Sequence, residues 1–142
     1  MADHRDALIA LAREATLKAH APYSGVHVGA AIRAASGAVY AGCNVENAAY
    51  PVGNCAEASA IAAGVGAEGT ALCIVETAVW ATDRNGRVLG ASPCGGCRQR
   101  LLEFAAEGGV EVHFPWHGGE VRTARLDELL PYAFTLPARG GS

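Results

Sequence analysis

The chain has 142 residues, of which 51% are hydrophobic and 18% charged. That composition suits one domain with a real core and excludes a disordered chain. Its formal charge is -3 with Lys and Arg scattered, so it carries no electrostatic footprint for nucleic acid, and no apolar run reaches membrane-spanning length.

The first residues, Met1 to Asp6, alternate charges with no apolar stretch behind them, so no signal peptide is expected. The expected location is the cytoplasm, where thiols stay reduced. Five cysteines, an odd count, suit metal ligands with spares better than a disulfide framework.

Residues 4 to about 20 read as an amphipathic helix, with Leu8, Leu11, Ala15 and Ala19 at helical spacing. Pro22 to Gly25 breaks it. Val26, Val28, Ala30 and Ile32 then alternate as in a strand; Ser36-Gly37 is a turn, and Val39 to Cys43 returns as the second arm of a hairpin. Asn44 to Asn54 is a polar loop with many hydrogen-bonding groups. Cys55 to Gly64 is Ala-rich and predicts a helix. Ala71 to Ala81 is an apolar run that predicts a buried central strand. Asp83 to Gly86 is a turn, and Gly95 to Ala106 predicts another helix. Val110 to Phe114 and Val121 to Thr123 read as strands, and Leu126 to Leu130 as a short helix ended by Pro131. This order predicts an α/β fold, a three-layer α/β/α sandwich around a mixed sheet, as a single domain over 1–142 with 136–142 as a flexible tail.

Two short segments carry the chemistry: Cys55-Ala56-Glu57 and Pro93-Cys94-Gly95-Gly96-Cys97, with Cys94 39 positions after Cys55. Three thiolates can hold a zinc ion with one coordination position left open, and catalytic zinc sites keep such a vacancy. A neighbouring carboxylate can move the protons of a water there. Both segments fall at expected helix N-termini, where unpaired N–H groups and a partial positive charge favour thiolate. Glu57 by itself reads as a solvated helix-start residue, and Cys94 to Cys97 by itself admits a redox reading; the combination favours zinc. Cys43 could still close the site as a fourth ligand, which would make the zinc structural. Cys73 reads as core. His20, His27, His113 and His117 share no ligand spacing and read as surface or strand-end residues.

The order H/C-x-E then P-C-x-x-C is the signature of zinc deaminases. The wider chain resembles the short, three-cysteine cytidine deaminases. The matching stretches are Pro22-Tyr23-Ser24, Val28 to Ala31, Gly42 to Asn47, Cys55 to Glu57, Ser92 to Gln99 and Glu128 to Pro131, in the family's order. The resemblance implies a five-stranded mixed sheet and one zinc ion per subunit, held by Cys55, Cys94 and Cys97. It implies Glu57 as the proton-transferring residue, and hydrolytic deamination of cytidine and 2'-deoxycytidine to the uracil nucleosides with release of ammonia, in pyrimidine salvage. Asn44 and Glu46 match the pair that binds the ribose hydroxyls, and the backbone at Ala56 and Cys94 is expected near the base. Tyr50 and Phe134 match positions that complete a neighbouring subunit's pocket, which implies a homotetramer. The partner is then a nucleoside, with no nucleic acid and no membrane.

Two positions depart from the family pattern. Ala58 stands where relatives commonly carry Arg after the catalytic Glu. Zinc with three thiolates is formally an anion, so a guanidinium on the sulfurs would withdraw charge; Arg98, directly after Cys97, is the expected substitute. Val26 stands where relatives usually place Phe against the substrate ring, which keeps open a modified cytosine nucleoside, such as a blasticidin-type antibiotic, as the substrate.

Overall fold

The computed structural model describes residues 2–137, with side chains from residue 4. The expected tail, apart from Leu136 and Pro137, lies outside the described residues. The chain folds as α1 (Ala2–Thr16), β1 (His27–Ala34), β2 (Val39–Cys43), α2 (Ala56–Glu68), β3 (Ile74–Thr82), α3 (Gly95–Glu103), β4 (Glu111–Pro115), β5 (Val121–Arg125) and α4 (Leu126–Leu129). The five strands form one sheet in the order β2-β1-β3-β4-β5. Only β3 and β4 run parallel among its neighbours, so the sheet is mixed.

Alternation along β1 divides the core into two layers. Ala30, Ile32 and Ala34 face Ala60 and Ile61 of α2 and Leu101 of α3. Ala31 faces the other way and joins Leu8 and Ala12 of α1, with Ala78 and Trp80 of β3. The three-layer α/β/α sandwich is therefore present. Two glycines set how closely the helices approach. A Cβ at Gly29 would lie 1.9 Å from the Ala12 carbonyl, and one at Gly42 would lie 2.5 Å from the Ala60 nitrogen. The backbones of α1 and α2 thus rest directly on opposite faces of the hairpin. The approach at Gly42 carries the start of α2 toward the sheet, and with it the site.

Several boundaries differ from the sequence reading. The first helix stops at Thr16, because the N–H groups of Leu17, Lys18 and Ala19 turn back to carbonyls three residues away. His20 then donates to the Asn44 carbonyl and ties the chain to the loop before α2. The third helix ends at Glu103 for the same local reason: Phe104 and Ala105 bond to Leu101 and Leu102. Residues 69–71 form a single 3-10 turn, so β3 begins at Ile74.

His113 is not at the surface. It is buried in β4, with Nε2 2.6 Å from Glu76 Oε2 and Nδ1 2.7 Å from Thr123 Oγ1. Glu76 also receives Arg33 Nη2 at 2.7 Å. Burial opposes ionisation of Glu76, but His113 and Arg33 together hold its carboxyl below the usual range. No helix among the described residues is long and apolar enough to cross a membrane.

Candidate active site

Cys55 and Cys94 are the N-caps of α2 and α3. Both have extended backbone angles, at φ -76° and -67°, and neither side chain caps its own helix. Their thiols are therefore free to point at a common centre over the two first turns. Cys97 is the third residue of α3 and is fully buried. The Sγ atoms of Cys55, Cys94 and Cys97 all lie within 4.8 Å of one another. The donor set fits zinc: three soft sulfur ligands, two helix N-termini to favour thiolate, and no fourth His, Cys, Asp or Glu in the group among the described residues. Cys43 does not join it; that residue lines a separate groove with Leu11, Glu14 and Ala15 of α1.

The three thiols differ in environment. Burial pushes Cys55 up and Cys97 well up. Partial burial also opposes ionisation of Cys94, but the N–H groups of Cys97 and Gly96 hold it below the usual thiol range. The helix start thus favours the anion where its amides reach the sulfur.

Glu57 lies one residue into α2, with only 4% of its surface exposed. Burial raises its carboxyl, against the opposing effects of its own N–H, the Cys97 thiol and the Arg100 charge. It lines a cleft of about 640 Å³ together with Cys55, Ala56 and Cys94. That volume is in the range of small-molecule sites. Asn44, Glu46 and Tyr50 line the same cleft.

Asn44 and Glu46 are held by the protein itself. The Asn44 side chain accepts from the Val28 N–H at 2.8 Å and donates to the Val26 carbonyl at 2.9 Å. One amide hydrogen remains for a ligand. Glu46 Oε1 accepts from the N–H groups of Tyr23 and Ser24, and Oε2 from the Ser24 hydroxyl. These bonds, led by the Ser24 hydroxyl, keep the Glu46 carboxyl below its ordinary range. Both residues therefore fix the turn before β1 while facing the cleft.

Two expected site residues lie apart from the thiols and the cleft lining. Arg98 does not reach the sulfurs. Its Nε donates to the Pro93 carbonyl at 2.7 Å, Nη1 to the Leu129 carbonyl at 2.7 Å and Nη2 to Ser92 Oγ at 2.8 Å. It braces the loop that carries Cys94 against the end of α4. The guanidinium that meets a thiol is that of Arg100, with Nη1 3.7 Å from Cys97 Sγ. Sequence spacing held that signal, since positions three apart share a helix face and adjacent ones do not. Val26 is the second. It is 36% exposed and does not line the cleft; Val28 does, because the strand begins at His27 and turns Val28 inward.

Phe134 is 67% exposed and also lies off this cleft, its carbonyl accepting from Gln99 Nε2 at 2.9 Å. Tyr50 stands on the rim of its own chain's cleft, 76% exposed and edge-on to Tyr23 at 6.0 Å between ring centroids. Tyr23 lines the cleft as well, a role its place in a helix-breaking turn did not suggest.

A mixed five-stranded sheet that presents three cysteines and a buried glutamate at two helix starts defines a zinc-binding hydrolase of the nucleobase-deaminase class. Residues 2–110 match the family model of the cytidine and deoxycytidylate deaminase zinc-binding region, and the chain belongs to that family. A cytidine deaminase of Sporosarcina psychrophila is 39% identical over 132 residues, spanning 90% of this chain and 89% of that protein. One of Mycobacterium tuberculosis is 42% identical over 125 residues, spanning 88% and 85%. The crystal structure of cytidine deaminase from Burkholderia pseudomallei superposes with a TM-score of 0.79 at 39% identity, covering 91% of this chain and 98% of that one.

Proposed function

We propose that this chain hydrolytically deaminates cytidine and 2'-deoxycytidine to uridine and 2'-deoxyuridine, releasing ammonia. The observation that carries this reading is Glu57, buried beside a three-thiol cluster at the bottom of a nucleoside-sized cleft. Cys55, Cys94 and Cys97 would hold one zinc per subunit. When bound, zinc would act as a Lewis acid that makes water a competent nucleophile near neutral pH.

The protein's own groups do the rest. Glu57 takes a proton from the attacking water and passes protons to N3 and to the amino nitrogen on C4, so the ring gains oxygen and loses ammonia. Its burial keeps bulk water from competing for those protons. Ala56, beside it in the first turn of α2, brings backbone close to the base edge. Glu46 accepts from the ribose hydroxyls and the free amide hydrogen of Asn44 donates to them. Their own hydrogen bonds already fix them in place, so ordering the sugar costs little further side-chain entropy.

Phe134 and Tyr50 would meet neighbouring subunits in a homotetramer; their large exposed rings support this. Residues 1–142 then act as one domain. The five free cysteines suit the cytoplasm, and the reaction suits pyrimidine salvage. One observation favours a second reading. With Val26 off the cleft, no aromatic ring closes that wall from β1, which leaves room for a modified cytosine nucleoside.

The test is ammonia release by the zinc-loaded protein from cytidine, deoxycytidine and modified cytosine nucleosides, beside a Glu57→Ala control. Turnover of the two ordinary nucleosides, lost in the control, supports salvage. Turnover of a modified one alone supports the second reading. A zinc-loaded protein inert toward all of them means a structural zinc module.

A further inference from the structure

The chemistry of the three-thiol site leaves a charge problem, and the first turn of α2 does not solve it. Ala58 offers no donor, and Glu57 adds a carboxylate to the cluster. Arg98 is spent on Ser92, Pro93 and Leu129. Arg100 alone among the described cations reaches a ligand sulfur. From the last turn of α3 its side chain runs back along the helix and places Nη1 3.7 Å from Cys97 Sγ. Gly96, one turn earlier, makes the passage: a Cβ there would lie 3.2 Å from the same nitrogen. No carboxylate among the described residues lies within ion-pair distance of Arg100. Its charge is therefore directed at the sulfur and not neutralised elsewhere.

Resting on the zinc-site reading above, we propose that Arg100 is the charge-tuning residue of the metal centre: its guanidinium hydrogen-bonds the Cys97 sulfur and withdraws electron density from the thiolate set. Arg100 does not line the cleft, so it acts through Cys97 and is a positioning residue, not a catalytic one. Partners of metal ligands at this remove tune affinity or activity by roughly 10–100-fold.

The test loads wild type, Arg100→Gln and Arg100→Lys with cobalt(II) in place of zinc and records the sulfur-to-cobalt charge-transfer band. A sulfur relieved of its hydrogen bond is easier to oxidise. Arg100→Gln should therefore shift the band to longer wavelength, and Arg100→Lys should return it part of the way. With zinc, Arg100→Gln should lower kcat roughly 10–100-fold and leave KM within about twofold. Melting of the metal-free proteins is the folding control, and Arg100→Lys keeps the test open should Arg100→Gln melt early. A band unmoved in both variants overturns the inference even if kcat falls. A wild-type protein with no thiolate band at all overturns it together with the zinc reading, so the two failures are told apart.

Discussion

Glu46 holds Ser24 twice, accepting from both its backbone N–H and its hydroxyl, and accepts from the Tyr23 N–H besides. A residue that faces the cleft thereby also shapes the turn forming the cleft's wall. All three partners are donors, and only a carboxylate accepts from all of them. Glu46→Gln leaves one oxygen for the two N–H groups, turns an NH₂ group toward the Ser24 hydroxyl and removes the charge from every bond. We expect KM for the nucleoside to rise roughly tenfold, the scale of one lost charge-assisted hydrogen bond, with kcat changed less. Steady-state kinetics check it; an unchanged KM would remove Glu46 from the sugar site.

The separation of Cys43 from the cluster makes an asymmetric prediction about metal content. Cys43→Ser should retain one zinc per chain after dialysis, since that residue lines a separate groove with α1. Cys55→Ser and Cys94→Ser should each lose it, because hydroxyl oxygen is a poor substitute for a thiolate on zinc. Metal analysis of the three proteins decides. Loss of zinc from Cys43→Ser would instead mean a closed, four-ligand site.

The ion-pair network at Glu76 predicts an acid limit to stability. Its folded carboxyl sits below the ordinary glutamate value of 4.5, against burial, through His113 and Arg33. A depressed carboxyl stabilises the fold fully above that ordinary value and ceases to do so as pH falls through the lower folded one. Urea midpoints should therefore fall below about pH 4.5, more in wild type than in Glu76→Gln. At neutral pH that substitution should cost about 1–3 kcal/mol, since it leaves Arg33 short of its counter-charge. Equal acid sensitivity in both proteins would put the limit elsewhere.

These features were unequally legible in the sequence. The zinc cluster was readable because two of its three ligands mark helix starts, and helix starts are local: Cys55 and Cys94 announce themselves through the residues beside them, and Cys97 follows in the first turn of α3. The sheet was readable from alternation along β1 and the apolar run of β3. His113 was not, because its burial depends on Glu76, 37 positions away on a neighbouring strand. Arg98 follows Cys97 directly in sequence, but adjacency along a helix does not bring a side chain to its neighbour's sulfur. On a helix the next residue turns about 100° away, and the third returns to the same face.

Val26 offers the sharpest test of substrate choice. The side chain does not line the cleft, which is bounded by Val28 and, at the rim, by the Tyr23–Tyr50 pair. Position 26 lies two residues before Val28 in the chain, so a longer aromatic side chain there tests whether that wall can be closed. Such a side chain would gain stacking area against an ordinary cytosine while narrowing the room for groups added to the ring. Val26→Phe should therefore lower KM for cytidine by roughly two- to thirteenfold, the range set by an aromatic contact of about 0.5–1.5 kcal/mol. It should also depress kcat/KM for ring-substituted cytosine nucleosides. Paired measurements on cytidine and 5-methylcytidine separate the effects. If both nucleosides gain equally, the valine spares no room for a modified base, and the second reading of the substrate falls. If only cytidine gains, the open wall is a determinant of specificity in this chain.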